Sequence, residues 1–125
     1  MENITRLELP NQKIKDISAL KDLKNIEVLD LRNNQIKDIS VLSEFKKLHF
    51  LILYNNQIED ISALKDLKSL EILDLRYNQI DDISALKDLK KLELLELEGN
   101  PIKNLEIIEQ IKKNNPNIII NYDKE

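Results

Sequence analysis

Apolar residues recur along this chain at a fixed step of 22. Leu20, Leu42, Leu64 and Leu86 keep that spacing, as do Ile26, Leu48, Leu70 and Leu92, and again Leu31, Leu53, Leu75 and Leu97. One polar set keeps it too: Asn34, Asn56, Asn78 and Asn100. The segment Ile-Ser-Ala-Leu-Lys-Asp-Leu-Lys occurs verbatim at 17–24, 61–68 and 83–90. A period of this length marks a solenoid, in which one unit cannot bury its own apolar face and gains stability by stacking on the next.

The second copy reads Leu20-x-x-Leu23-x-x-Ile26-x-x-Leu29-x-Leu31-x-x-Asn34-x-Ile36-x-x-Ile39. Around Leu29 and Leu31 the alternation has period two, which predicts a short strand with both leucines facing inward. Asn34 then turns the chain, and its amide suits backbone groups of neighbouring coils that would otherwise be buried unpaired. Ser18, Ser40, Ser62 and Ser84 precede apolar turns of helical spacing and are expected to act as N-caps. The first coil is truncated, with Ile4, Leu7 and Leu9 at strand positions and Gln12 in place of the asparagine. In the last coil Ile108 and Ile111 continue the apolar spacing among Glu106, Glu109, Gln110, Lys112 and Lys113, predicting an amphipathic helix. Asn114-Asn-Pro-Asn ends that helix, and Ile118 to Ile120 is expected to form a final strand.

This unit resembles the leucine-rich repeat, and its 22-residue length with Asp-Ile-Ser after the asparagine is similar to the internalin-type bacterial class. The resemblance implies an α/β fold: a right-handed horseshoe solenoid of about five coils, with a parallel sheet on the concave side, short helical turns on the convex side and a helical C-terminal cap. It implies one domain over 1–125, comprising an uncapped first coil at 1–14, regular repeats at 15–102 and the cap at 103–125. It also implies a protein-interaction module or adaptor, since internalin-like proteins typically bind a host protein through the concave sheet.

Composition narrows the chemistry. Hydrophobic residues make up 42% and aromatics only 4%, so the core must be leucine and isoleucine. A net charge of −4 argues against sequence-independent nucleic-acid binding. The absence of cysteine removes disulfides, thiolate metal sites and a Cys nucleophile. With no Gly-rich phosphate loop and a single histidine, His49, expected as an ordinary surface residue, no catalytic, cofactor or metal site is expected. No long apolar run opens the chain, so it reads as cytoplasmic as it stands and without a membrane role, or as secreted if a leader had been removed. The sequon Asn3-Ile-Thr5 matters only in the second case.

Two charged columns run along the repeat. Asp16, Asp38, Asp60 and Asp82 stand one per coil, and each is expected to accept backbone N–H bonds at the turn, which favours the ionised form. Lys24, Lys46, Lys68, Lys90 and Lys112 form the second column, and the acidic Asp22, Glu44, Asp66 and Asp88 stand two positions before the first four of them, giving a mixed-charge convex face. The concave positions are more informative. Phe50, Ile52 and Tyr54 fall together in the third coil, with Asp30 and Asp74 flanking Ile52, Arg32 and Arg76 flanking Tyr54, and Tyr77 one residue further. An outward apolar cluster rimmed by charge marks an interaction site, so these eight residues are the expected partner site. The expected partner is an unidentified protein, apolar at its centre and basic around it. The alternative expectation is a self-assembling repeat that oligomerises through its open N-terminal edge.

Overall fold

Each apolar alternation becomes a strand of three residues, short because a turn-forming asparagine follows. The computed structural model describes residues 3–124. The strands are β1 (Arg6–Glu8), β2 (Val28–Asp30), β3 (Phe50–Ile52), β4 (Ile72–Asp74), β5 (Leu94–Glu96) and β6 (Ile119–Asn121), with one helix, α1 (Ile107–Asn114), before the last. They form one sheet in chain order, every pairing parallel. The return path on the opposite side is a 3-10 turn in the coils that follow β1 to β4, such as Ser40–Glu44 and Ser62–Leu64. Parallel neighbours joined by a crossover wind right-handedly, and the result is an open horseshoe of six strands.

The register repeats the sequence period. Arg6, Val28, Phe50, Ile72 and Leu94 are direct neighbours at 22-residue steps, and the step to Ile119 is 25. The longer step accommodates α1, where Ile108 and Ile111 are fully buried under the last coil. Asn115 closes this end: its Oδ1 accepts the Leu92 N–H at 3.0 Å, and its Nδ2 donates to the carbonyls of Leu89 and Ile111. β6 lies one residue later than the expected Ile118–Ile120, so Ile119 points outward and Ile120 packs against the core.

Between sheet and turns runs one continuous core. Leu29, Leu31, Leu51, Leu53, Leu73, Leu75, Leu95 and Leu97 all lie at 0% exposure. Phe45 fills the place that leucine holds in other coils, also at 0%. The asparagine ladder knits neighbouring coils. Asn78 Oδ1 accepts the Ile58 N–H at 3.0 Å, while its Nδ2 donates to Leu53 O of the preceding coil and Leu75 O of its own. Asn34, Asn56 and Asn100 repeat this arrangement.

The serines do not cap. The cap positions belong to Ile17, Ile39, Ile61 and Ile83, and no side chain bonds there. The aspartate two residues before each serine does the work instead. Asp16, Asp38, Asp60 and Asp82 each accept the backbone N–H of the following Ser at 2.8 Å. That bond, helped by the serine hydroxyl, holds each carboxyl below the ordinary aspartate range. A carboxylate accepts more strongly than a hydroxyl, which is why the aspartate takes the role. It also lets like charges stand one coil apart, although neighbouring aspartates push the Asp38 and Asp60 values back up slightly. On the convex side Lys24 reaches Glu44 of the next coil at 3.8 Å.

Candidate interaction face

Side chains alternating with the inward leucines project from the concave side of the sheet. The register sets them in rows across the strands. The first row is Arg6, Val28, Phe50, Ile72, Leu94 and Ile119; the second is Glu8, Asp30, Ile52, Asp74, Glu96 and Asn121. Beyond the strand ends, Asn33 N–H donates to Tyr54 O and Asn55 N–H to Arg76 O, which carries the same spacing through Arg32, Tyr54 and Arg76.

Phe50, Ile52 and Tyr54 stand together as the sequence pattern predicts, with Phe50 37% exposed and the other two half-buried. The same residue type at Phe45 is wholly buried, so exposure here follows from the strand's facing and not from a shortage of core. The apolar surface extends further than the third coil. Ile72 and Leu94 continue the first row, and Ile119 ends it at 60% exposure. Ile119 was hidden from sequence reasoning because α1 breaks the 22-residue count just before it.

The two aspartates are not free rim charges. Asp30 and Asp74 are each only 6% exposed. Each carboxylate accepts the backbone N–H two residues on, at 3.2 Å, and pairs with the arginine there. Arg32 Nη1 lies 3.1 Å from Asp30, and Arg76 donates from Nε and Nη2 to Asp74 at 2.9 and 2.6 Å. The Asp74 bond raises the already high pKa of Arg76, with Glu96 at 3.7 Å adding to it. Held so, the Arg76 guanidinium sits 4.8 Å from the centre of the Tyr54 ring. The acids therefore position the arginines, and the arginines are what the face presents.

Tyr77 is 58% exposed and has a left-handed backbone, with φ at 56°. The equivalent positions hold Asn11, Asn33 and Asn55, also left-handed, and Gly99 at 77°. Asparagine and glycine tolerate this conformation, whereas a bulky side chain there is strained. The sequence carried that signal, since Asn, Asn, Asn, Tyr, Gly is a column with one residue out of place. Its ring lies against Gly99, where an added Cβ would come 2.3 Å from Tyr77 Cδ1. Of the remaining residues singled out above, His49 Nδ1 meets Glu71 Oε2 at 3.0 Å beside the face. Among the described residues no three His, Asp or Glu side chains converge as metal ligands, and no helix is long and apolar enough to cross a membrane.

A parallel sheet of 22-residue coils, a leucine core and a buried asparagine ladder define the class of horseshoe solenoids. The family described as "Leucine Rich repeats (2 copies)" matches residues 2–44, 46–88 and 68–110, and the chain belongs to it. Among solved structures it is similar to internalin C2 of Listeria monocytogenes, with 33% identity over 96% of this chain and a TM-score of 0.89. It is also similar to internalin F of the same organism, at 28% identity over 97% of the chain and a TM-score of 0.79. A leucine-rich-repeat protein of Leptospira interrogans matches 94% at 29% identity, with a TM-score of 0.80. These likenesses make the chain internalin-like and point to a bacterial origin. The chain spans 52%, 43% and 31% of these three proteins respectively. No curated protein sequence matches it.

Proposed function

We propose that the chain is a protein-recognition module, not an enzyme, and that it engages a partner protein through the concave face. One observation carries this reading: Phe50, Ile52 and Tyr54 turn three apolar side chains outward from one coil, with Ile52 standing between Asp30 and Asp74 in a row that is otherwise polar or charged. Such a patch, with aromatic and arginine residues at its centre, has the composition of a binding hot spot. Tyr77 and the anchored Arg32 and Arg76 complete it. A partner fits if it is apolar over Phe50 and Ile52 and basic toward Glu98, which forms no ion pair among the described residues. The test is affinity capture from the native cell, with wild type, Phe50→Ala/Tyr54→Ala and a convex Lys46→Ala/Lys68→Ala variant run in parallel. A protein held by wild type and the convex variant but lost on the concave one supports the proposal. Capture that survives the concave change, or no specific capture, refutes it.

A second reading rests on β1, which among the described residues pairs only with β2. Thr5 and Leu9 direct their backbone groups at β2, so those of Arg6 and Glu8 point the other way. An antiparallel pair of β1 strands centred on Leu7 would oppose Arg6 of one copy to Glu8 of the other, twice. Sedimentation of the 125-residue chain tests it. Arg6→Glu should dissociate the dimer and Arg6→Glu/Glu8→Arg should restore it; a monomer throughout overturns this reading.

A further inference from the structure

The first concave row carries a finer inference, which rests on the concave-face reading above. Val28, Phe50, Ile72, Leu94 and Ile119 stand side by side on five consecutive strands, so the apolar row runs across the strands. At about 4.8 Å per strand it is about 19 Å long. Glu27, Glu71 and Glu93 immediately precede the row residues of β2, β4 and β5 and border the row on one side. On the other side Asp30, Asp74 and Glu96 are paired with Arg32 and Arg76, and Glu98 lies beyond them. Among the described residues Glu27, Glu93 and Glu98 form no ion pair, and Glu71 meets only His49. Lys47, the cation nearest His49 in sequence, donates instead to Asn25 Oδ1 at 2.8 Å.

We infer that this row takes an amphipathic helix of the partner, about 13 residues long, lying across the strands with Lys or Arg along the side of its apolar stripe that faces Glu27, Glu71 and Glu93. The spacing decides between helix and extended chain. Successive turns of a helix present apolar residues about 5.4 Å apart, against about 6.7 Å for same-face residues of a strand. Over the row a helix falls out of step by about 2.4 Å and a strand by about 7.6 Å. Side-chain flexibility absorbs the first and not the second. Strand addition is also closed off here, because β2 to β5 are paired on both sides. The unpaired glutamates then select a basic helix over an acidic one, mostly through the rate of encounter.

The test is fluorescence anisotropy with three labelled peptides of about 14 residues. One is leucine and lysine at i, i+3, i+4, i+7 spacing; the second replaces lysine with glutamate; the third sets the same leucine and lysine in strict alternation. The first should bind at least about tenfold more tightly than either of the others. Glu27→Lys/Glu93→Lys alters exposed side chains only, so it leaves folding intact. It should weaken the first peptide by about tenfold and strengthen the second. Equal affinity for the alternating peptide, or indifference to the charge change, overturns the helix. Neither result touches the capture experiment with Phe50→Ala/Tyr54→Ala, so failure here is distinguishable from failure of the concave-face reading.

Discussion

Replacing Asn78 with Ala tests whether the asparagine ladder holds the coils together. Asn78 is 2% exposed, and its side chain bridges two coils. Truncation leaves the Ile58 N–H, bonded at 3.0 Å to Oδ1, and the carbonyls of Leu53 and Leu75, bonded to Nδ2 at 3.1 and 3.0 Å, without these partners. A buried donor left unsatisfied costs about 1–3 kcal/mol, and carbonyls cost less because each keeps a second lone pair. The sum is about 3 kcal/mol, a large share of the roughly 6–19 kcal/mol typical of a chain this size. Because stability in a solenoid accumulates through neighbouring interfaces, the weakened contact between the third and fourth coils lowers the whole transition. At about 4 °C per kcal/mol the melting temperature should fall by about 12 °C. Thermal and urea unfolding followed by circular dichroism measure this, and hydrogen exchange should show the Ile58 amide losing protection first. A melting temperature within about 2 °C of wild type would refute the reasoning, for then water or relaxation replaces these bonds at little cost.

Phe50→Ala should cost about 0.5–1 kcal/mol of stability, since the residue is over a third exposed, yet weaken a captured partner by about 2 kcal/mol or more in titration calorimetry. Asp74→Ala should destabilise by about 1–2 kcal/mol by removing the anchor of Arg76, and the guanidinium should leave the Tyr54 ring, which crystallography or chemical shifts would show. If stability is unchanged there, Asp74 is a free rim charge after all. Gly99→Ala should cost about 1–2 kcal/mol from its left-handed backbone, and more from the clash with Tyr77. Tyr77→Ala in the same chain should recover the clash part in a double-mutant cycle. The lowered pKa values of Asp16, Asp38, Asp60 and Asp82 make their stabilisation present above the ordinary aspartate value and lost as pH falls through the folded values. Urea midpoints should therefore drop below about pH 4. Asp60→Asn keeps an acceptor for the Ser62 N–H but removes the titration, so its curve should be flatter; identical curves would count against the aspartate turns.

The sequence by itself determined whatever depends on period. A 22-residue step with alternating leucines leaves one way to bury the leucines, so strand positions, the inward set, the bridging role of Asn34 to Asn100 and the facing of Phe50, Ile52 and Tyr54 were all legible from counting. Tertiary structure decided what depends on competition between neighbours at hydrogen-bond range. Serine and aspartate both suit a turn entry, and only the geometry showed that the Asp60 carboxylate takes the Ser62 N–H while Ile61 holds the cap position. Asp74 and Arg76 look alike as rim charges in a list of residues. Their i,i+2 placement on a strand exit buries the acid beneath the base, because a charge nearly removed from water needs its partner. Ile119 joined the concave row only because α1 spends three extra residues in the last coil, a length set by how a helix packs where other coils carry a 3-10 turn. Periodicity fixes direction, and packing decides which of the residues pointing the same way remain free to meet a partner.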